Sequence, residues 1–229
     1  MDPTSQAIVL ADGDVGSRAA IDDAWPGWLA SDPFVVAADG GARHAGPLGL
    51  RIDRWVGDGD SLGDAGVAQL LAEGVPVDRA PFDKDESDTE LAVEAALARA
   101  PRAITLLGAL GGPRLDHALA NLALLGLPEL RGIDVRLVAA DARVRSLDAT
   151  DAPTRVELVG RAGDLVSLLP VGGDALGVTT DGLAYPLDDE VLRAGRTRGL
   201  SNRRTVATAT VQLRGGRLLI VETPATLWR

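Results

Sequence analysis

Ile8-Val9-Leu10-Ala11-Asp12-Gly13, Val35-Val36-Ala37-Ala38-Asp39-Gly40 and Trp55-Val56-Gly57-Asp58-Gly59-Asp60-Ser61 repeat one pattern: an apolar run that ends in Asp-Gly. Short apolar runs bounded by glycine read as buried parallel strands. In open α/β sheets, ligands bind beyond the carboxyl ends of such strands. The pattern therefore delivers several carboxylates to one edge of one sheet. A fourth acidic cluster follows, Asp83-Lys84-Asp85-Glu86-Ser87-Asp88-Thr89-Glu90. Crowded carboxylates repel unless a cation joins them, and an oxygen-only set suits Mg²⁺.

Outward from these runs, strand and helix patterns alternate. Strands are expected at 6–11, 34–38, 53–57, 76–79, 102–108 and 133–139, and helices at 41–46, 63–73, 87–99 and 115–126. This alternation predicts an α/β N-terminal domain, 1–149, with a mostly parallel sheet covered by helices. Near 148–153 the texture changes. Short runs at 155–159, 164–169, 175–179, 205–213 and 218–221 are punctuated by Gly and Pro. An all-β C-terminal sandwich domain, 150–229, is expected. Arg214-Gly215-Gly216-Arg217 reads as a hairpin turn, and 182–199 as a long connection.

Composition narrows the function classes. The 229 residues carry a net charge of −10, which argues against a general nucleic-acid binder and suits a cationic small substrate. There is no cysteine, which excludes disulfides and thiolate sites, and only His44 and His117 could serve a histidine site. No apolar run approaches the roughly 18 residues of a membrane span. The longest, at 119–127, contains Asn121. The start of the chain has Asp2 and no early Lys or Arg, unlike a secretory signal, so a cytoplasmic location is expected. Lys84, the sole lysine, stands inside the densest acidic cluster.

Each motif has a plain structural reading beside a chemical one. Asp58 and Asp60, one residue apart, point the same way from an extended segment; the plain alternative is a solvated turn. In 83–90, Ser87 or Asp85 can cap a helix while other carboxylates bind a cation. Gly108-Ala109-Leu110-Gly111-Gly112-Pro113-Arg114-Leu115-Asp116-His117 joins a strand to a helix. Its backbone N–H groups can hold phosphate and Arg114 can add charge-assisted contacts, or it is a glycine turn. Neither the dinucleotide fingerprint nor a Walker A loop is present. Gly59-Asp60-Ser61-Leu62-Gly63 matches the nucleophile-elbow pattern, which makes Ser61 an alternative esterase nucleophile with His117 as base. That reading leaves Asp39 and 83–90 idle.

Taken together, the motifs resemble the thiamine pyrophosphokinase (thiamine diphosphokinase) family. Asp39-Gly40-Gly41-Ala42, Gly57-Asp58-Gly59-Asp60-Ser61, 83–90 and Gly111-Gly112-Pro113-Arg114-Leu115-Asp116-His117 occur in the family's order. Thr180-Asp181-Gly182-Leu183-Ala184-Tyr185-Pro186-Leu187, then Ser201-Asn202, is similar to its C-terminal signature. The resemblance implies transfer of the terminal diphosphate of ATP to the thiamine hydroxyl, giving thiamine diphosphate and AMP. It implies Mg²⁺ around Asp39, Asp58, Asp60 and Asp88, with Asp58, Asp60 and Asp88 catalytic. An aspartate can accept the hydroxyl proton; sequence does not choose which, and Asp88 is one candidate. It places Asp39, Lys84, Gly111, Arg114, Asp116 and His117 at ATP, and Tyr185, Ser201 and Asn202 at thiamine. It further implies a homodimer with active sites between subunits. Three positions depart from the pattern: Gly59 stands where Phe is frequent, Pro113 where Arg often follows the glycine pair, and Arg203 where Glu is common. A positive side chain at 203 is expected not to face a cationic ring. The same motifs also suit a related diphosphokinase acting on another alcohol such as a pterin, or a sensor that binds without transfer.

Overall fold

The computed structural model describes residues 5–228. The expectation of no secretory signal, which rests partly on Asp2, lies outside the described residues. The chain divides into two compact units, one ending at Ala140 and the other beginning at Asp141.

The first unit holds β1 (Ala7–Leu10), β2 (Phe34–Ala38), β3 (Arg54–Gly57), β4 (Val77–Arg79), β5 (Ala103–Leu107) and β6 (Asp134–Val138). They pair in the order β4-β3-β2-β1-β5-β6, all parallel. The chain steps from β1 to β4 in one direction, then returns to the far side of β1 for β5 and β6. That reversal makes a topological switch point between β1 and β5, where ligands of such sheets bind. Helices α1 (Arg18–Ala24), α2 (Ala45–Leu48), α3 (Asp64–Ala72), α4 (Asp88–Leu97) and α5 (Leu115–Leu124) accompany the strands.

Ile8, Leu10, Val35, Ala37 and Trp55 form a core with Ile21 of α1 and Val67 of α3. The alternate strand residues Val9, Val36 and Ile104 are equally buried, as strands covered on both faces require. α4 packs on β1, β2 and β3 and buries Ala92, Val93 and Ala96, small side chains that let a helix lie close to a sheet. Ser87 is its N-cap and accepts the Glu90 N–H at 3.1 Å.

Two elements differ from expectation. The segment expected as helix 41–46 is a 3-10 turn, Asp39–His44, followed by α2. The turn is tight because it lies on β1: a Cβ at Gly41 would stand 2.0 Å from the Leu10 carbonyl oxygen. α1 has no counterpart in the expected helices. Its seven residues, rich in Ala and Asp, are too few for an apolar stripe, and its visible signal is the Ser17 cap.

The second unit is antiparallel. It comprises β7 (Arg143–Asp148), β8 (Thr154–Val159), β9 (Leu165–Pro170), β10 (Ala175–Asp181), β11 (Glu190–Leu192), β12 (Asn202–Arg203), β13 (Thr208–Leu213) and β14 (Arg217–Thr223). One set pairs in the order β7-β14-β9-β12, the other β8-β13-β10-β11. Leu147, Val166, Leu168, Leu218 and Ile220 from the first set share a core with Leu158, Val178, Val211 and Leu213 from the second. This is the expected sandwich.

The division lies nine residues before the expected boundary at 149/150, because β7 pairs with β14 along Leu147↔Leu218 and its neighbours. β7 escapes a hydropathy reading since two of its buried residues are Arg143 and Arg145. Both face Glu222, which is fully buried. Arg143 Nε donates to Glu222 Oε2 at 2.8 Å, Arg204 Nη2 donates to Oε1 at 2.7 Å, and Arg145 Nη2 stands 3.7 Å away. The turn 214–217 is not a hairpin between paired strands: β13 belongs to one sheet and β14 to the other, so it carries the chain across the sandwich. The connection 182–199 contains β11.

Candidate active site

Asp39 follows β2 directly and has φ +40°, a left-handed backbone for a non-glycine residue. Such conformations cost about 1–3 kcal/mol and persist where surroundings hold them. Here the Asp39 carbonyl accepts the Trp55 indole N–H at 3.0 Å. Its carboxylate accepts the N–H groups of Ser61 at 3.0 Å and Leu62 at 3.1 Å. Glycine at 57 permits this closeness, since a Cβ there would lie 2.8 Å from the Asp39 Cβ. Asp58, on the same loop, accepts the Asp60 N–H at 3.0 Å.

Asp39, Asp58 and Asp60 each bring an oxygen within 4.8 Å of the others. Lys84 Nζ stands 3.1 Å from Asp58 and 3.1 Å from Asp88, so the fourth expected carboxylate joins the group through the lysine. Burial pushes the carboxyls of Asp39 and Asp88 above the usual range, against the N–H donors at Asp39 and the Lys84 ammonium beside Asp88. Asp58 lies below it, held by the Asp60 N–H and, against some burial, by Lys84. A hard divalent cation fits this donor set: the donors are all oxygen and they converge.

The acidic group borders a cleft of about 320 Å³ at the carboxyl ends of β1, β2 and β5. Asp12, Asp39, Lys84 and Asp88 line one part; Gly111, Arg114 and His117 line another. Glycines shape that second wall. Gly13 N–H donates to the Gly108 carbonyl at 2.9 Å, and a Cβ on Gly13 would stand 2.2 Å from the Gly111 carbonyl oxygen. The 108–113 loop therefore lies against the β1 turn, at the switch point. Asn121 of α5 donates from its amide to the Ala109 carbonyl at 3.0 Å. Arg114 pairs with Asp116 at 2.9 and 2.6 Å, and Arg114 holds the Asp116 carboxyl at about 2. Both side chains are 65% exposed, so the guanidinium is free to exchange this partner for a phosphate. Asp116 reaches the site only through Arg114.

The C-terminal candidates gather in the second unit. Tyr185 and Asn202 line a cleft of about 160 Å³ with Leu168, Leu200 and Arg198. Asn202 is buried and grips Tyr185 twice: its Oδ1 accepts the Tyr185 N–H at 3.0 Å, and its Nδ2 donates to the Tyr185 carbonyl at 2.6 Å. These two bonds hold the Tyr185 backbone. Ser201 has φ +56°, is exposed, and donates its N–H to the Ser167 hydroxyl at 3.0 Å. Arg203, the next strand residue after Asn202, is exposed, and strand alternation turns it to the opposite face.

Three residues of the first site carry no individual role from sequence. Asp12 is visible only as one more Asp-Gly pair, and Asn121 only as the polar interruption of an apolar run. Arg43, which contacts Asp12 and Ser61, has no sequence signal of its own.

A parallel α/β unit with converging carboxylates at the carboxyl ends of β2 and β3, beside its switch point, followed in sequence by a β-sandwich, defines a two-unit protein with an acidic ligand site. Two family models narrow the class. Residues 27–137 match "Thiamin pyrophosphokinase, catalytic domain" and residues 154–218 match "Thiamin pyrophosphokinase, vitamin B1 binding domain", together well over half of the chain. The chain belongs to the thiamin pyrophosphokinase family.

The thiamine pyrophosphokinase of Bacillus subtilis is 27% identical over 139 residues, 61% of this chain. The matched stretch spans 63% of that relative's length. The crystal structure of the Bacillus subtilis thiamine pyrophosphokinase superposes with TM-score 0.79 at 23% identity, covering 96% of this chain and 99% of that one. The thiamin pyrophosphokinase structure from Geobacillus thermodenitrificans gives 0.76 at 26% identity, with 95% and 96% covered. Yeast thiamin pyrophosphokinase gives 0.73 at 13% identity, with 98% and 87% covered, a likeness of fold. The family match favours the diphosphokinase reading over the Ser61 esterase or a pterin acceptor.

Proposed function

We propose that this chain transfers the terminal diphosphate of ATP to the hydroxyl of thiamine, releasing AMP. The single observation that carries the reading is the convergence of Asp39, Asp58 and Asp60, with Lys84 and Asp88, beside a cleft that Asp39, Lys84 and Asp88 line and whose other wall is a glycine loop. The thiamine oxygen bonds to the β-phosphorus, the bond from that phosphorus to the oxygen bridging to the α-phosphate breaks, and AMP leaves with that oxygen. The hydroxyl proton passes to a base, for which Asp88 is the candidate. Phosphoryl-type transfer depends mainly on positioning and charge neutralisation.

Asp39, Asp58, Asp60 and Asp88 are the residues to hold Mg²⁺, which when bound neutralises phosphate charge and polarises phosphate oxygens. Lys84, Arg114 and His117 supply the chain's own positive and donor groups to the phosphates, with the Gly111 backbone beside them. Asp116 orients Arg114. Tyr185, Ser201 and Asn202 form the thiamine side.

The assembly we propose is a homodimer with active sites between subunits. Light scattering of the purified chain tests it, and a monomer at working concentrations counts against it. Dependence on ATP supports a cytoplasmic site of action. No helix among the described residues is long and apolar enough to cross a membrane.

The deciding assay is AMP release from ATP with and without thiamine, each with Mg²⁺ or EDTA. The expected result is thiamine-dependent, EDTA-sensitive AMP with an equal amount of thiamine diphosphate. Asp58→Asn and Asp60→Asn are expected to abolish it with the fold retained. A folded double mutant that still turns over rules out the cation assignment.

A further inference from the structure

Arg43 lies four residues after Asp39 on the same 3-10 turn. One arm of its guanidinium, Nη1, donates to the Ser61 carbonyl at 2.8 Å. The other, Nη2, donates to Asp12 at 2.8 Å. Ser61 is also the residue whose N–H is taken by the Asp39 carboxylate. One short turn therefore grips both polar atoms of a single peptide residue, the N–H through Asp39 and the C=O through Arg43. The gripped residue directly follows Asp60 in the loop that carries Asp58.

The link also spans three neighbouring strand ends. Asp12 follows β1, Arg43 sits on the turn after β2, and Ser61 belongs to the loop after β3. A planar two-armed guanidinium suits such a bridge; a lysine ammonium on a flexible stem does not hold the same two acceptors in a fixed direction.

Magnitude separates a geometric role from a stabilising one. Arg43 and Asp12 side chains are 51% and 39% exposed. Ion pairs that wet contribute about 0–1 kcal/mol to folding. Their value as bulk stabilisation is small, while the direction they impose on the Ser61 peptide is specific.

We infer that Arg43 is a positioning residue that fixes the loop bearing Asp58 and Asp60, and so sets the cation affinity of the acidic group. The inference rests on the cation reading of that group. Groups one step removed from metal ligands typically change affinity about 10-fold or more when lost.

The test is Mn²⁺ binding to the full chain without nucleotide, followed by the loss of the free-ion electron paramagnetic resonance signal. Unfolding midpoints and ATP binding in EDTA are measured alongside. Arg43→Gln is expected to weaken Mn²⁺ about 10-fold with an unchanged midpoint, and Arg43→Lys is expected to recover only part of the loss. Unchanged Mn²⁺ affinity in folded Arg43→Gln overturns the inference. So does a variant that keeps Mn²⁺ affinity but loses metal-free ATP binding, since Arg43 is then a phosphate contact. Should Arg43→Gln lower the midpoint, Arg43→Lys decides, because it keeps the charge and loses only the two-armed geometry. Weaker Mn²⁺ binding there supports the role and unchanged binding overturns it. No Mn²⁺ binding by the unaltered chain overturns the cation reading itself, and this inference with it.

Discussion

The side-chain amide of Asn121 donates to the carbonyl of Ala109 at 3.0 Å, joining α5 to the loop that follows β5. Both residues are buried, so without that amide the Ala109 carbonyl is a buried acceptor with a lost partner. Such a loss costs about 1–3 kcal/mol. Asn121→Leu is therefore expected to lower stability by about that amount in urea unfolding. Small displacements of a phosphate-holding loop are expensive in rate, about 10- to 100-fold. kcat/KM for ATP is expected to fall by that order while KM for thiamine stays near its original value. Equal effects on both substrates would falsify a role confined to this loop.

Asn202 makes a different and separable prediction. It clasps the N–H and the C=O of Tyr185, and Asn202→Ala releases both. KM for thiamine is expected to rise about 10-fold, equivalent to ~1.4 kcal/mol. KM for ATP is expected to stay constant. Steady-state kinetics with each substrate varied in turn reads the split, and a rise in the ATP constant alone contradicts the assignment.

The buried Glu222 offers a test of stability without chemistry. It neutralises Arg143 and Arg204 directly and Arg145 at longer range, with every one of these side chains 8% exposed or less. Burial lowers the Arg204 guanidinium against the pull of Glu222. Removing one member of a buried charge group costs about 3–5 kcal/mol. Glu222→Leu is expected to show a loss of that size in denaturant unfolding of the full chain. A change below about 1 kcal/mol, the scale of an exposed pair, means the arginines find water or other partners.

Asp148 gives a pH signature. Burial opposes its ionisation, but the hydroxyl and N–H of Thr150 and the Arg217 guanidinium outweigh it and hold the carboxyl at about 2. A folded value below the unfolded one means stability that is fully present above about pH 4. It is lost as pH falls from there through about 2. The unaltered chain is expected to lose about 1–2 kcal/mol more than Asp148→Asn over that window. Parallel curves for the two proteins, followed by circular dichroism, refute the assignment.

The features legible in sequence are those written in hydropathy and glycine. The three Asp-Gly strand ends give the parallel sheet and its acidic edge because buried strands must be apolar and must stop somewhere. β7 is illegible for the opposite reason: Arg143 and Arg145 occupy positions that read as solvent, and only their meeting with Glu222, 79 residues from Arg143, makes them interior. The 214–217 turn carries ordinary hairpin residues, and local sequence does not say that its two strands pair elsewhere. At the site, residue type and spacing point to Asp39, Asp58, Asp60 and Lys84. A motif points to Asn202, whose grip on Tyr185 exists only in three dimensions. Asn121 meets a backbone carbonyl, and Arg43 meets one together with Asp12, partners that leave no pairing signal in a sequence.

Lys84 is the chain's only lysine, and its ammonium is wedged between Asp58 and Asp88 with 11% of the side chain accessible. Amine-directed labelling of this protein therefore has a single side-chain address, and that address is the acidic site itself. An acylating dye or crosslinker becomes an occupancy gauge, its yield at residue 84 tracking how the cleft is filled. The same fact warns the bench worker: amine coupling to a sensor surface or resin has only this side chain and the terminal amine to react with, since the arginines are inert to such reagents.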